Sequence, residues 1–221
     1  MIKIKKLFIN CKNILLFKNI NFFIEFGKIY ILLGKNGIGK STFLKSFLND
    51  ENYCIKGEII FNKTNILNYS TDYICRIGIY YFHQSPIEIF NIKNLFLLKT
   101  CYEIFNFNKK NFFKKIKVLL KNINFNKKLL FRNLNYSFSG GEKKKNEFLY
   151  LMIINPFFIL LDEFDSGLEF FSYFYIINYL NKIKKFKYIL LITHNLNIKK
   201  HLKIDYFIFI KNNFLNLIKC I

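Results

Sequence analysis

The chain has 221 residues, of which 52% are hydrophobic, and this composition excludes an intrinsically disordered protein. Its formal net charge of +21 is spread along a chain with no alanine and one valine, a bias typical of an AT-rich genome, and so does not predict a dedicated nucleic-acid function. Long apolar runs are interrupted and the first ten residues are too charged for a signal peptide, so we expect a soluble, non-secreted protein without membrane insertion.

The first part of the chain is typical of β-structure, with a turn at Gly27. Strands are predicted at 2–9, 14–26, 28–34, 57–61 and 78–82. A helix is predicted over 40–48, and the pattern from about 92 to 130 is helical and rich in Lys, Asn and Phe. We expect this second region to form a helical lobe.

The last part alternates helices and apolar strands. Helices are predicted from the "SGG" stretch to about 154 and over 169–184, and strands at 157–163, at 188–194 and, as the last strand, at 205–210. Apolar runs without alternation fit a parallel sheet covered by helices on both faces, so the predicted fold class is α/β. The whole chain, 1–221, is predicted to be one domain, with a core of about 1–91 and 155–221 and a helical lobe of about 92–154.

The five cysteines are scattered singly, without a C-x-x-C pair. This spacing predicts neither a zinc site, nor an iron–sulfur ligand set, nor a disulfide framework. We expect reduced thiols in a cytosol-like compartment.

The segment "GKNGIGKST" matches G-x-x-x-x-G-K-[ST] between a predicted strand and a predicted helix. Its glycines allow the backbone to wrap around a polyphosphate with its N–H groups pointing inward. Lys40 is expected to reach the β- and γ-phosphates, and Ser41 to ligate Mg²⁺. The predicted nucleotide-binding residues of this loop are Gly34, Lys35, Asn36, Gly37, Ile38, Gly39, Lys40, Ser41 and Thr42.

The run 157–163, "FFILLDE", is an apolar strand that ends in two acids. Open α/β sheets bind ligands at the carboxyl ends of their strands. Asp162 is therefore predicted to hold Mg²⁺, and Glu163 to act as the general base on the attacking water. In a third segment, "FSGGE", Ser139 and the following backbone N–H groups open a helix and form an anion site.

Taken in order, these motifs resemble an ABC-type ATPase over nearly the whole chain, with Gln84, the 165–169 stretch and His194 completing the set. The resemblance implies a P-loop ATPase with an N-terminal antiparallel β subdomain and a helical subdomain, binding ATP and Mg²⁺. It also implies an ATP-dependent homodimer joined at 165–169, in which each "SGG" faces ATP held by the other chain. The residues that it implies are Ser139, Gly140 and Gly141 on the partner's nucleotide, His194 near the γ-phosphate, and Gln84 on Mg²⁺ and the attacking water.

Three segments resemble more specifically the SufC family, the ATPases of the SUF iron–sulfur cluster assembly system: "FHQSPIEI", "SGGEKKKNE" and "LLDEFDSGLE". This resemblance implies docking on SUF scaffold proteins of the SufB/SufD type, in the cytoplasm of a reduced AT-rich bacterium or in a plastid stroma. The departures from the family pattern are Lys145 for arginine, Phe164 for serine, Glu169 for aspartate, Phe90-Asn91 for Pro-Gly, and Cys11 near the expected adenine-stacking aromatic.

The alternative interpretation is the nucleotide-binding subunit of an ABC membrane transporter, which shares the catalytic motifs. A DNA-associated ABC ATPase would need a long insertion, and this chain has room only for a short helical lobe. A non-catalytic binding subunit is disfavoured by the intact Lys40, Asp162, Glu163 and His194.

Overall fold

A computed structural model describes residues 1–12, 14–106, 111–211 and 213–220. The helices are α1 (Lys40–Ser46), α2 (Thr71–Arg76), α3 (Asn94–Phe105), α4 (Phe112–Asn122), α5 (Gly140–Ile154) and α6 (Phe170–Ile183). The strands are β1 (Ile2–Cys11), β2 (Ile14–Ile24), β3 (Ile29–Leu33), β4 (Cys54–Phe61), β5 (Thr64–Asn65), β6 (Ile79–Phe82), β7 (Ile89–Lys93), β8 (Asn133–Leu134), β9 (Phe158–Asp162), β10 (Tyr188–Ile192), β11 (Tyr206–Lys211) and β12 (Phe214–Lys219).

The larger sheet has the order β12-β11-β3-β10-β9-β6, and all of its neighbouring strands are parallel except β11 and β12. Successive residues of β3 face opposite sides: Ile29 and Ile31 pack with α5 and α6, whereas Tyr30 and Leu32 pack with α1 and the N-terminal strands. Burial on both faces explains why these runs are apolar without alternation. The predicted α/β fold class is confirmed.

A second sheet, in the order β2-β1-β4-β5, is antiparallel throughout. Along β1, buried and exposed residues largely alternate, as in a sheet with one face on the core. This sheet is the expected N-terminal antiparallel β subdomain.

The helical lobe differs in detail from the predicted pattern. Its first residues, 92–93, still belong to β7, which pairs with β8, and the helical region divides into α3 and α4. Part of the predicted helical stretch, 107–110, lies outside the described residues. The short α2 was not predicted, because six residues are too few for a helical period to stand out.

The prediction that 205–210 is the last strand is wrong, because β12 follows it and pairs antiparallel with β11. Most positions of β12 are exposed, since it is the edge strand, so it lacks the apolar run that identified the central strands. Among the described residues, none of the helices combines the length and apolar character needed to cross a membrane. The parallel strands β3, β6, β9 and β10 end at one edge, and the loops that leave them carry the candidate site.

Candidate active site

The loop 34–39 leaves β3 and enters α1. Gly37 and Gly39 have φ angles of 76° and 102°, in the left-handed region that glycine tolerates best. Lys40 is largely buried, and its Nζ donates to the carbonyl oxygens of Gly34 at 2.9 Å and Lys35 at 3.1 Å. Burial lowers the pKa of Lys40.

A cavity of about 480 Å³, which we call the phosphate-loop cavity, opens beside this loop. It is lined by Asn36, Gly37, Gly39, Lys40, Ser41, Thr42, Gln84, Glu163 and His194. The structure therefore brings three separate sequence motifs and the loop together around one space.

Glu163 is held from both sides of its carboxylate. Gln84 Nε2 donates to Oε2 at 2.7 Å, and His194 Nε2 lies 3.0 Å from Oε1. The backbone of Glu163 has a φ of 46°, which is strained for a residue with a side chain. This conformation is stabilised by Lys144 Nζ, which donates to the Glu163 carbonyl at 3.1 Å, and by the Ser166 hydroxyl at 3.0 Å. Glu163 is thus fixed at the cavity wall.

Asp162 lies beneath this wall and is 1% exposed. Its Oδ2 accepts a hydrogen bond from the Tyr81 hydroxyl at 2.6 Å, whereas Oδ1 is buried and has no hydrogen-bond partner among the described residues. An unpaired buried carboxylate oxygen is costly unless a cation or donor completes it. Asp162 and the Ser41 hydroxyl are hard oxygen ligands, so the donor set fits Mg²⁺ that is shared with phosphate oxygens.

In the described part of the chain, no group of three or more His, Cys, Asp or Glu side chains could hold a metal without such phosphates.

The loop that carries His194 is fastened to the stretch after Glu163. Thr193 Oγ1 donates to Asp165 Oδ2 at 2.7 Å, and the backbone N–H of Asn195 donates to Thr193 Oγ1 at 2.9 Å. Burial raises the pKa of Asp165. The positions of His194 and of the 165–169 stretch are therefore coupled.

The "SGG" stretch begins α5 and does not line the phosphate-loop cavity. Ser139 and Glu142 form a capping box: the Ser139 N–H donates to Glu142 Oε2 at 2.8 Å, and the Glu142 N–H donates to Ser139 Oγ at 3.3 Å. A Cβ on Gly140 would meet no atom within 4 Å, whereas one on Gly141 would lie 2.6 Å from the Gly167 carbonyl oxygen. Gly141 is thus required by close packing within the chain.

A separate cavity of about 520 Å³, which we call the signature cavity, is lined by residues that include Ser139, Gly141 and Gly167. Lys145 is almost buried at its edge, and its Nζ donates to Glu169 Oε2 at 3.0 Å and to the Asn124 carbonyl at 3.2 Å. Two departures from the SufC pattern, Lys145 and Glu169, therefore form one ion pair.

The predicted residues thus divide among different places. Ser139 and Gly141 line the signature cavity, and Gly140 lines a cavity next to it. None of these three residues lines the phosphate-loop cavity. Of the residues predicted to bind the nucleotide or Mg²⁺ from the loop and from β9, Gly34, Lys35, Ile38 and Asp162 do not line the phosphate-loop cavity.

Sequence analysis missed three residues that shape the site: Tyr81, Lys144 and Thr193. No local pattern identifies these contacts, because each partner is distant in sequence.

A family model described as ABC transporter matches residues 17–166 of the chain. The chain is 34% identical to a probable ATP-dependent transporter, ycf16, of Antithamnion sp., over 93% of this chain and 86% of that protein. It is 31% identical to a probable ABC transporter ATP-binding protein of Streptococcus pyogenes serotype M3, over 76% of this chain and 68% of that protein.

Among solved structures, the fold is similar to a dimeric ATP-binding cassette, MJ0796, in a post-hydrolysis state bound to ADP and phosphate. The TM-score is 0.82 at 20% sequence identity, and the match covers 99% of this chain and 98% of the other. At this identity the likeness establishes the fold alone.

Proposed function

Because the chain belongs to the ABC transporter family of ATPases, we propose that it is the ATP-hydrolysing subunit of a SUF iron–sulfur cluster assembly system. It dimerises on ATP and remodels a SUF scaffold. The observation that carries the catalytic part is Glu163, held between Gln84 and His194 at the wall of the phosphate-loop cavity.

The loop 34–39 binds the triphosphate through its backbone N–H groups. In the proposed complex Lys40 exchanges its hydrogen bonds to Gly34 and Lys35 for the β- and γ-phosphates, which are stronger, charged acceptors. Burial lowers the pKa of Lys40, and phosphate beside it would oppose this shift, because a nearby negative charge favours the charged form.

Asp162, Ser41 and Gln84 are the residues that would hold Mg²⁺. The unpaired Asp162 Oδ1 supports this assignment, and Tyr81 fixes the orientation of the carboxylate through the other oxygen. Bound Mg²⁺ supplies neutralisation of charge on the β- and γ-phosphates.

Glu163 is the proposed general base, which accepts a proton from the attacking water. Gln84 and His194 hold its two carboxylate oxygens, so the base is oriented before the substrate binds. His194 also lines the cavity, from which it would donate to the γ-phosphate. The hydrogen bond from Lys144 to the Glu163 carbonyl stabilises the strained backbone that presents the base.

The dimer explains why the signature residues lie apart from the phosphate-loop cavity. In a head-to-tail pair of chains, the exposed Ser139 and Gly140 and the half-buried Gly141 of one chain reach the γ-phosphate bound by the other. The open space above Gly140 leaves room for this approach. Hydrolysis then removes the group that joins the two chains, and the dimer opens.

A chain of buried amides connects this site to the helical lobe. Asn135 Nδ2 donates to the Ile87 carbonyl at 2.7 Å, Asn146 Nδ2 to Asn135 Oδ1 at 2.8 Å, and Asn94 Nδ2 to Asn146 Oδ1 at 2.8 Å. Ile87 lies three residues after Gln84. We propose that movement of Gln84 on hydrolysis reaches a docked scaffold along this route.

The SUF assignment is supported by the three SufC-like segments of the sequence. A second candidate function, the nucleotide-binding subunit of a membrane transporter, is favoured by the names of both relatives, which describe them as transporter proteins. The two candidates share the ATPase chemistry and differ in the partner.

A tagged Glu163→Gln variant tests the proposal, because a chain that binds ATP without hydrolysing it should hold its partner longest. It is purified with Mg·ATP from the source cells, and Lys40→Ala serves as the control that cannot close. SUF scaffold proteins of the SufB/SufD type should be recovered with Glu163→Gln in excess over Lys40→Ala. Recovery of a multispanning permease would instead establish the transporter function.

A further inference from the structure

A third feature of the surface lies between the helical lobe and the loop that follows β6. It is a cavity of about 210 Å³ with Ile87, Ile89, Leu97 and Leu134 in its wall and the side chain of Glu147 also lining it. We call it the Glu147 groove. None of these residues lines the phosphate-loop cavity or the signature cavity.

Glu147 carries an acidic side chain for which the chain itself provides little. Its Oε1 accepts a long hydrogen bond, 3.5 Å from the backbone N–H of His83, and the Tyr80 hydroxyl also lies within reach of the carboxylate, but no ion pair to Glu147 forms in the described ranges. The neighbouring Lys144 directs its ammonium to the carbonyls of His83 and Glu163 instead. Burial raises the pKa of Glu147 to about 7.

The lack of an ion pair at Glu147 in the described part of the chain is a matter of placement, because the chain has 35 Lys and Arg residues against 14 Asp and Glu. One turn earlier on α5, Lys143 pairs with Glu88 of the same loop at 2.6 Å. A carboxylate in a largely apolar setting is stabilised when a cation comes within ion-pair distance. Glu147 has hydrogen bonds but no such cation, so its environment suits an added positive charge.

The volume of the groove limits the size of the group that could pair with Glu147. Cavities that hold metabolites or cofactors usually measure about 300–1,000 Å³. At about 210 Å³ the Glu147 groove has room for one long side chain, with apolar walls for its methylene groups and a carboxylate for its end.

We propose that the Glu147 groove binds a lysine or arginine side chain of the partner protein that the ATPase drives. The aliphatic stem packs against Ile87, Ile89 and Leu97, and the terminal cation pairs with Glu147. This inference rests on the proposed function for the existence of a driven partner. It adds the chemistry by which that partner is recognised.

The position of the groove links this recognition to the catalytic loop. Ile87 lines the groove with its side chain and accepts the hydrogen bond from Asn135 with its carbonyl. Tyr150, on another side of the groove, donates to Asn94 Oδ1 at 2.9 Å, at the far end of the same amide chain. A side chain seated in the groove therefore contacts both ends of the connection to Gln84.

The test uses two small probes of equal shape, phenethylamine, which is a cation, and 2-phenylethanol, which is neutral. Both are titrated at pH 8 into the full-length, nucleotide-free chain labelled at Ile and Leu methyl groups, and chemical-shift changes give the site and the affinity. The cation is expected to bind at the methyls of Ile87, Ile89 and Leu97 at least fivefold more tightly than the alcohol. In Glu147→Gln this preference should vanish, while the alcohol binds unchanged.

The matched control is Glu103→Gln, which makes the same chemical change in an exposed carboxylate of the same lobe and should retain the preference. Thermal melting verifies that each variant is folded. Equal affinity of the two probes for the wild-type chain would overturn the proposal, as would retention of the preference in Glu147→Gln or the absence of saturable binding of the cation. These outcomes are independent of ATP and of the scaffold purification, so the two proposals can fail separately.

Discussion

The phosphate-loop cavity and the signature cavity differ in how much of their chemistry a single chain satisfies. Around the first, Lys40, Glu163 and Asp162 are held by hydrogen bonds from separate loops. Around the second, Ser139 forms its helix cap and, among the described residues, no other side-chain hydrogen bond, and Gly140 faces open space. One cavity is organised within the chain, whereas the other presents an exposed helix start.

This difference teaches that the two cavities respond to different kinds of change. A substitution at the phosphate-loop cavity removes chemistry that is already assembled. A substitution at the signature cavity acts either on the packing of one chain, as at Gly141, or on contact with a second chain, as proposed for Gly140. The following predictions separate these effects.

Lys40→Ala has the largest expected effect. Removing the Lys40 ammonium, which reaches into the loop, should weaken Mg·ATP binding by about 100-fold or more, because a desolvated charge partner of the phosphates is lost. Equilibrium binding of a fluorescent ATP analogue measures this. Lys45→Ala, on the same helix but outside the cavity lining, should bind normally; equal affinity of Lys40→Ala would break the assignment of the cavity.

Glu163→Gln should lower the hydrolysis rate by about 10²–10³-fold, since the base is lost while its shape is kept. ATP binding should remain, and the variant should accumulate as a dimer when Mg·ATP is added. Phosphate release and gel filtration measure the two effects. Glu51→Gln, an exposed residue, provides the control, and hydrolysis at the wild-type rate by Glu163→Gln would remove the general-base role.

The variants Gly141→Ala and Gly140→Ala separate two roles of the signature cavity: packing within one chain and contact with a second chain. Gly141→Ala should destabilise the isolated chain by about 1–3 kcal/mol, because the added methyl would overlap the Gly167 carbonyl. Gly140→Ala should leave the melting temperature unchanged or higher, since alanine favours helix, yet weaken ATP-dependent dimerisation. If both variants dimerise normally with ATP, the proposed contact across the dimer is wrong.

The smallest effect is expected at the ion pair between Lys145 and Glu169. The longer Arg and the shorter Asp of the family pattern should compensate each other, so Lys145→Arg and Glu169→Asp should each lose stability and the double variant should recover it. The coupling should be about 0.5–1 kcal/mol, modest because Glu169 is largely exposed. Chemical denaturation of the four chains measures it, and strictly additive changes would show that the two positions are independent.

Much of the fold follows from local patterns that are strong along the chain. The central strands β3, β9 and β10 are continuous apolar runs because the sheet buries both of their faces, so their positions were predicted closely. The edge strand β12 and the short α2 carry no such pattern, and both were missed. The helical lobe was predicted as a region, but its division into α3 and α4 was not.

The sequence by itself determined which segments carry chemistry, because a glycine-rich loop, a strand that ends in acids and a helix start each need particular residues at fixed spacing. Only the tertiary structure decided how those segments meet. The hydrogen bond between Tyr81 and Asp162 spans 81 positions, and the one between Gln84 and Glu163 spans 79. Such contacts depend on the order of strands in the sheet.

The same holds for Lys145 and Glu169, which in the sequence are two unrelated departures from a family pattern and in the fold are one ion pair. Glu147 is similar, since nothing in its sequence neighbourhood distinguishes it from an ordinary helix-surface acid. Among the described residues it forms no ion pair, and this follows from the packing of α5 against the loop after β6. Burial and pairing are properties of the packed chain, and for this reason local sequence cannot specify them.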